Sequence, residues 1–147
     1  MPIANPRSGL VVSYNYLWRH QHERSETEGR KARPACLIVV LPRAEGRPAR
    51  VALYPITSQA PGPERAAIEL PAIEKRRLGL TDAPRSWIIL DETNGDALPT
   101  SPHFERVGGA PDHPFVYGEL SRAFLRTFGQ AALAVARRMA VPRIPRA

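Results

Sequence analysis

Short apolar runs separated by proline- and glycine-rich breaks fill the first two thirds of the chain, and one helical stripe closes it. Residues 9–18 crowd Val11, Val12, Tyr14, Tyr16 and Trp18 together, the composition of a strand. Residues 19–32 are polar and aperiodic and read as a long loop, closed by Arg33-Pro34. A continuous apolar strand is predicted at 35–41, a hairpin turn at 42–48 around Glu45-Gly46, and a return strand at 49–57. A rigid loop at 59–65 leads to a short strand at 67–70. Pro71 then opens a helix at 72–78, with Gly79 just past its end. Residues 86–90 read as a strand, 91–96 as a polar turn, and 99–114 as irregular with one edge strand near 104–107. Leu120, Phe124, Phe128, Ala131, Val135 and Met139 recur at steps of three and four, one face of a helix that Ser121 caps and Pro142 ends.

These elements predict a mainly β fold with a C-terminal α-helix: a small, strongly bent sheet or barrel of five to seven short strands. The chain reads as one domain over 1–147, with a loose arm at 1–8, the helix within 119–140 and a tail at 141–147. Sixteen prolines in 147 residues, about twice the ~5% usual in proteins, favour short strands and rigid turns over long helices. The single cysteine, Cys36, excludes an internal disulfide framework. The longest apolar run, 36–41, has six residues where a membrane helix needs ~20. No apolar segment of the signal-peptide type follows Arg7. A cytoplasmic protein with no membrane partner is expected. The net charge of +7 comes mostly from arginine, which suits bidentate contact with phosphate; a basic surface kept for solubility accounts for it equally.

Few motifs carry chemistry. His20-Gln21-His22-Glu23 would place two imidazoles on one strand face, but no third ligand of matching spacing follows, and His103 and His113 lie elsewhere. They read as solvated histidines past a strand end, and no metal or other cofactor is expected. Cys36, inside an apolar strand, reads as packing. The sequence contains no G-x-S-x-G elbow.

What remains is a set of polar residues at strand ends. Pairing through the 42–48 turn brings Arg33 beside Thr57 and Ser58, the next strand delivers Asp91 and Glu92, and the long loop carries Ser25, Glu26 and Glu28. One cation, one hydroxyl and one or two carboxylates suit phosphodiester cleavage in which the RNA 2′-hydroxyl attacks. Arginine–carboxylate pairs at strand ends are also commonly structural. Tyr14, Tyr16 and Trp18 would share a strand face and read first as packing, with base stacking as the alternative. Arg30, Lys31, Lys75, Arg76 and Arg77 are the candidate backbone-steering residues; for 75–77 a plain solvated face fits as well.

The same residues carry a family likeness. Gly9-Leu10-Val11-Val12, Ser25-Glu26-Thr27-Glu28-Gly29, Arg33-Pro34 with its apolar strand, and Pro55-Ile56-Thr57-Ser58 stand in the order found in PemK/MazF-like toxins of toxin–antitoxin systems. The chain resembles that family over roughly residues 9–95, with Leu10 where an acidic residue is usual and no counterpart for 99–117. The resemblance implies an SH3-like barrel, a homodimer, and a metal-independent, sequence-selective endoribonuclease acting on single-stranded RNA such as mRNA. It also implies a cognate antitoxin protein that blocks the RNA groove. Carried over by position, it makes Arg33, Thr57, Asp91 and Glu26 catalytic. Ser25 matches a loop position that contacts RNA in that family; beside it, Glu28, Arg30, Lys31, Ser58, Lys75, Arg76 and Arg77 are read as RNA contacts from their charge and strand-end placement. Two other readings keep the barrel without the chemistry: a gyrase-poison-like protein binder, and a degenerate member acting by interaction alone.

Overall fold

The computed structural model describes residues 3, 5–29, 31–107 and 114–147. The described residues form a mainly β fold of eight strands and three helices: β1 (Leu10–Tyr14), α1 (Arg19–Glu23), β2 (Arg33–Leu41), β3 (Ala49–Thr57), β4 (Ala67–Glu69), α2 (Ala72–Leu78), β5 (Trp87–Ile89), β6 (Thr93–Leu98), β7 (Val116–Glu119), α3 (Arg122–Arg138) and β8 (Arg143–Pro145). The sheet runs β4-β5-β3-β2-β1-β7. On its second edge β3 takes two partners, β6 along Ala49–Leu53 and β5 at Ile56 and Thr57, so the sheet forks there. Among the described residues no pairing joins β7 to the far edges, and the sheet stays open.

Period-two alternation sorts the central strands onto two cores. Leu10, Val12, Ala35, Leu37, Ala49, Val51 and Leu53 pack on one face with Tyr14, Tyr16, Leu98 and Phe104. Val11, Cys36 and Ile56 point the other way, onto Leu70 and Leu78 and the α3 side chains Phe124, Phe128 and Val135. With both faces covered, the apolar continuity of β2 follows directly. Each fully buried α3 phenylalanine contributes about 1.5–3 kcal/mol, and Phe128 also stands edge-on to Tyr54 at 5.1 Å. Met139, placed by periodicity on that face, is exposed because the helix has already ended at Arg138.

The turns follow their chemistry. Gly79 takes φ 69° and closes α2, as its position after Leu78 predicts. Ser121 Oγ accepts the Phe124 N–H at α3, and the buried Glu74 carboxylate of α2 accepts both the N–H and the hydroxyl of Ser121. One carboxylate thereby ties two helices together.

Several expectations are corrected. The first strand ends at Tyr14, not 18, and the predicted loop begins with α1, so His20 and His22 lie on a helix rather than a strand face. The polar turn expected at 91–96 is largely β6. Its buried side chains are fully engaged: Asn94 accepts from the Leu17 N–H and donates to the Leu17 carbonyl, and Asp96 accepts from the Tyr14 and Ser101 hydroxyls. Pairing with β3 overrides the weak strand propensity of Thr-Asn-Gly-Asp. The stretch just before the predicted terminal helix forms β7, which takes in Glu119, and the predicted tail contains β8, parallel to β6. The arm at 1–8 is anchored where described: Ile3 is in the core, Arg7 pairs with Glu119, and Ser8 Oγ accepts from Val39.

Candidate functional site

The hairpin register builds the site. Ala35 faces Pro55 across β2 and β3, which carries Arg33 to the level of Thr57 at the open end of the pair. Thr57 is partly exposed, and its Oγ1 accepts the Gln59 N–H at 3.1 Å. A cavity of about 510 Å³ opens over this end, lined by Arg33 and Thr57 together with Tyr16, Trp18, His20, Lys31, Gln59, Glu64 and Arg65. A second cavity of about 280 Å³ shares Lys31, Arg33 and Thr57 in its lining and adds Ser58, Asp82 and Tyr117.

Arg33 is the unusual group here. Among the described residues no carboxylate pairs with it, and its buried Nε has no hydrogen-bond partner. Its guanidinium instead lies 4.9 Å from the centre of the Trp18 ring. Burial pulls its pKa down. A half-buried cation without an anion is energetically costly unless one arrives, and the arrangement suits capture of a phosphate.

The acidic side is arranged differently from the strand-end cluster expected from sequence. Arg65, from the 59–65 loop, donates Nε and Nη2 to Asp91 and Nη2 to Glu92, at 2.6–3.1 Å. Asp91 also accepts the Ala66 N–H. Glu92, 3% exposed, further accepts the Tyr16 hydroxyl and the Arg19 N–H. Burial, reinforced by the nearby Glu92 carboxylate, drives the Tyr16 hydroxyl far above its ordinary range, so Tyr16 stays a neutral donor. Asp91 is therefore a structural partner of Arg65. A free proton acceptor would have to come from another residue. His20 and Glu64 line the cavity.

The other predicted residues divide. Lys31 lines both cavities, and Ser58 lines the smaller. Ser25 takes φ 65° on the turn after α1. Glu26 follows it, with its N–H on the Gln21 carbonyl, and belongs to neither cavity lining. Glu28 is exposed, 3.9 Å from His103. Arg30 lies outside the described residues, as does His113. Lys75 is corrected: it is 6% exposed and donates to the Ala83 carbonyl, so α2 folds it inward, whereas Arg76 and Arg77 are exposed. For the aromatic trio the packing reading holds at Tyr14 and Tyr16, both in the core, with Trp18 packed against them. Tyr14 and Tyr16 are buried, their hydroxyls on Asp96 and Glu92; Tyr16 lines the cavity from within the core, and Trp18 stands half-buried beside it.

Sequence reasoning missed Arg65 and Gln59, which sit in a Pro-Gly loop with no periodic signal, and the pairing of Trp18 with Arg33. Fifteen residues of sequence separate that pair, and only β1–β2 pairing and α1 bring it together. In comparison with known proteins, no family model matches the chain, and neither does any curated protein or solved structure. No helix among the described residues is long and apolar enough to cross a membrane.

Proposed function

We propose that the protein is a metal-independent, sequence-selective endoribonuclease of the PemK/MazF toxin kind, built on an SH3-like barrel, cytoplasmic, and acting as a homodimer on single-stranded RNA. The observation that carries this reading is Arg33, paired with no carboxylate among the described residues, beside Thr57 and Lys31 in the lining of a cavity of about 510 Å³. The RNA 2′-oxygen attacks the adjacent phosphorus, and its proton passes to His20 or Glu64. Arg33 and Thr57 meet the non-bridging oxygens as charge builds on the phosphorane. The 5′-oxygen leaves as it takes a proton from water, giving a 2′,3′-cyclic phosphate and a 5′-hydroxyl, and the protonated base returns its proton to solvent. Asp91, held by Arg65, supports the wall and takes no proton in this scheme. The cognate antitoxin, on this reading, acts by covering the cavity.

The test is incubation of long single-stranded RNA with wild type, Arg33→Ala and Thr57→Ala in the presence of EDTA. Discrete cleavage by the wild type, slowed ~100–1000-fold by loss of the Arg33 donor, is the expected result. Cleavage unchanged in Arg33→Ala would sink the assignment. A second reading, a barrel that grips a protein target, is favoured by the exposed Leu133 on the terminal helix and Met139 just past its end. Intact RNA with a folded wild-type protein would move the assignment there.

A further inference from the structure

An arginine that binds phosphate must be held in place without being neutralised, and carboxylates usually do the holding. At Arg33 the partner is an aromatic face: Trp18 lies 4.9 Å from the guanidinium carbon, and among the described residues no acid pairs with this arginine. Trp18 is itself firmly set. Its N–H donates to the buried Gln21 side chain at the start of α1, and its carbonyl accepts the His22 N–H. Its ring stands edge-on to Tyr16 at 5.0 Å, and the Tyr16 hydroxyl is bonded to Glu92, which is locked by Arg65. A rigid line thus runs Arg65–Glu92–Tyr16–Trp18–Arg33 from the cavity floor to the cation.

We propose that Trp18 is a positioning residue that holds Arg33 as an open receptor for a backbone phosphate of single-stranded nucleic acid. The proposal rests on the reading of this cavity as an RNA site, but it concerns binding and not cleavage. A π face orients a guanidinium while leaving its N–H groups unsatisfied, which a carboxylate cannot do. The same contact makes the indole a reporter, because an anion drawn to Arg33 changes the charge next to the ring.

The chain has two tryptophans. The second, Trp87, sits on β5 under Arg85, outside the lining of both cavities. In a Trp87→Phe protein, Trp18 is the sole tryptophan, and its emission is read by exciting beyond tyrosine absorption. Titration with a single-stranded DNA oligonucleotide, which lacks the 2′-hydroxyl and cannot be cut by this chemistry, should change Trp18 emission on binding. That response should vanish in Trp87→Phe/Arg33→Ala. By fluorescence anisotropy with a labelled oligonucleotide, Trp18→Ala should weaken binding roughly three- to thirtyfold, and Trp18→Phe should restore most of it. The emission change needs no alteration at Trp18, so a misfolded Trp18→Ala protein would not hide the answer. Unaltered Trp18 emission at saturation, affinity unchanged in a folded Trp18→Ala protein, or absence of binding would each overturn the proposal. Binding with the Trp18 response but without RNA cleavage in EDTA would uphold the receptor and remove the nuclease. Cleavage with no dependence on Trp18 would do the reverse.

Discussion

Two asparagine side chains substitute for strands that are not there. Asn94 exchanges two hydrogen bonds with the backbone of Leu17, and Asn15 does the same with Gly29, accepting its N–H and donating to its carbonyl. Gly29 lies so close to Tyr16 that an added Cβ would run into the Tyr16 carbonyl. Gly29→Ala should therefore destabilise the protein by about 1–3 kcal/mol in urea unfolding, the cost of overpacking a filled site; no shift in midpoint would show that this loop is not pinned. Asp91→Asn separates structure from chemistry. If Asp91 serves Arg65, the variant loses about 1–3 kcal/mol of stability while any RNA cleavage persists. A cleavage loss without a stability loss would return Asp91 to the role of base. Burial alone pushes the Cys36 thiol up to about 12. The native protein should then leave a thiol reagent unreacted at pH 8 and react only on unfolding. The same shift makes stability fall as pH rises from ~8.5, the unfolded value, toward about 12, because the unfolded state releases its proton first.

At the scale of elements, the junction of α2 with α3 concentrates the energy. Glu74 accepts two bonds from Ser121, and Ser121 caps α3 through Phe124. Removing the carboxylate with Glu74→Ala should cost about 2–3 kcal/mol, and Ser121→Ala about 1–2 kcal/mol. The two losses should fall short of additivity, since each variant breaks part of the same junction; strict additivity in a double-mutant cycle would refute that coupling. Propensity and capping signals predicted α2 and α3 because they are local. The same signals failed for β6, whose Thr-Asn-Gly-Asp start is strand only because β3 offers an edge and because Tyr14, Leu17 and Ser101 satisfy its polar side chains. β8 is a sharper case: three residues, two of them exposed, paired in parallel to β6. Arg146, one residue on, reaches the Asn15 carbonyl at 2.6 Å and the Asn94 amide oxygen at 3.1 Å, a tertiary anchor with no sequence signature.

Across the whole molecule, the +7 charge and the cavity pair make one quantitative statement. If single-stranded nucleic acid is the ligand, its affinity must fall with salt, with a log–log slope of about 0.7 per phosphate contacted. Arg33→Ala and Lys31→Ala should each reduce that slope by roughly 0.7, while Lys75→Ala should leave it unchanged, because Lys75 is turned inward to Ala83. Binding insensitive to salt would mean that the positive excess serves solubility alone.

The sequence by itself determined the hairpin that aligns Arg33 with Thr57, the cap and stripe of α3, and the turn at Gly79. Each depends on residues within a few positions of one another, or on a hairpin whose register follows from its turn. Tertiary structure alone decided which charges are left over. Asp91 and Arg33 looked equally available as strand-end residues, but Arg65 arrives from a loop 26 positions before Asp91 and takes that carboxylate, while Trp18 gives Arg33 a ring instead of an acid. Pairwise electrostatics act over a few ångströms, and the partner within that distance is set by how loops are carried across the sheet. Pattern along the chain records which residues face a core. It does not record which ion meets which.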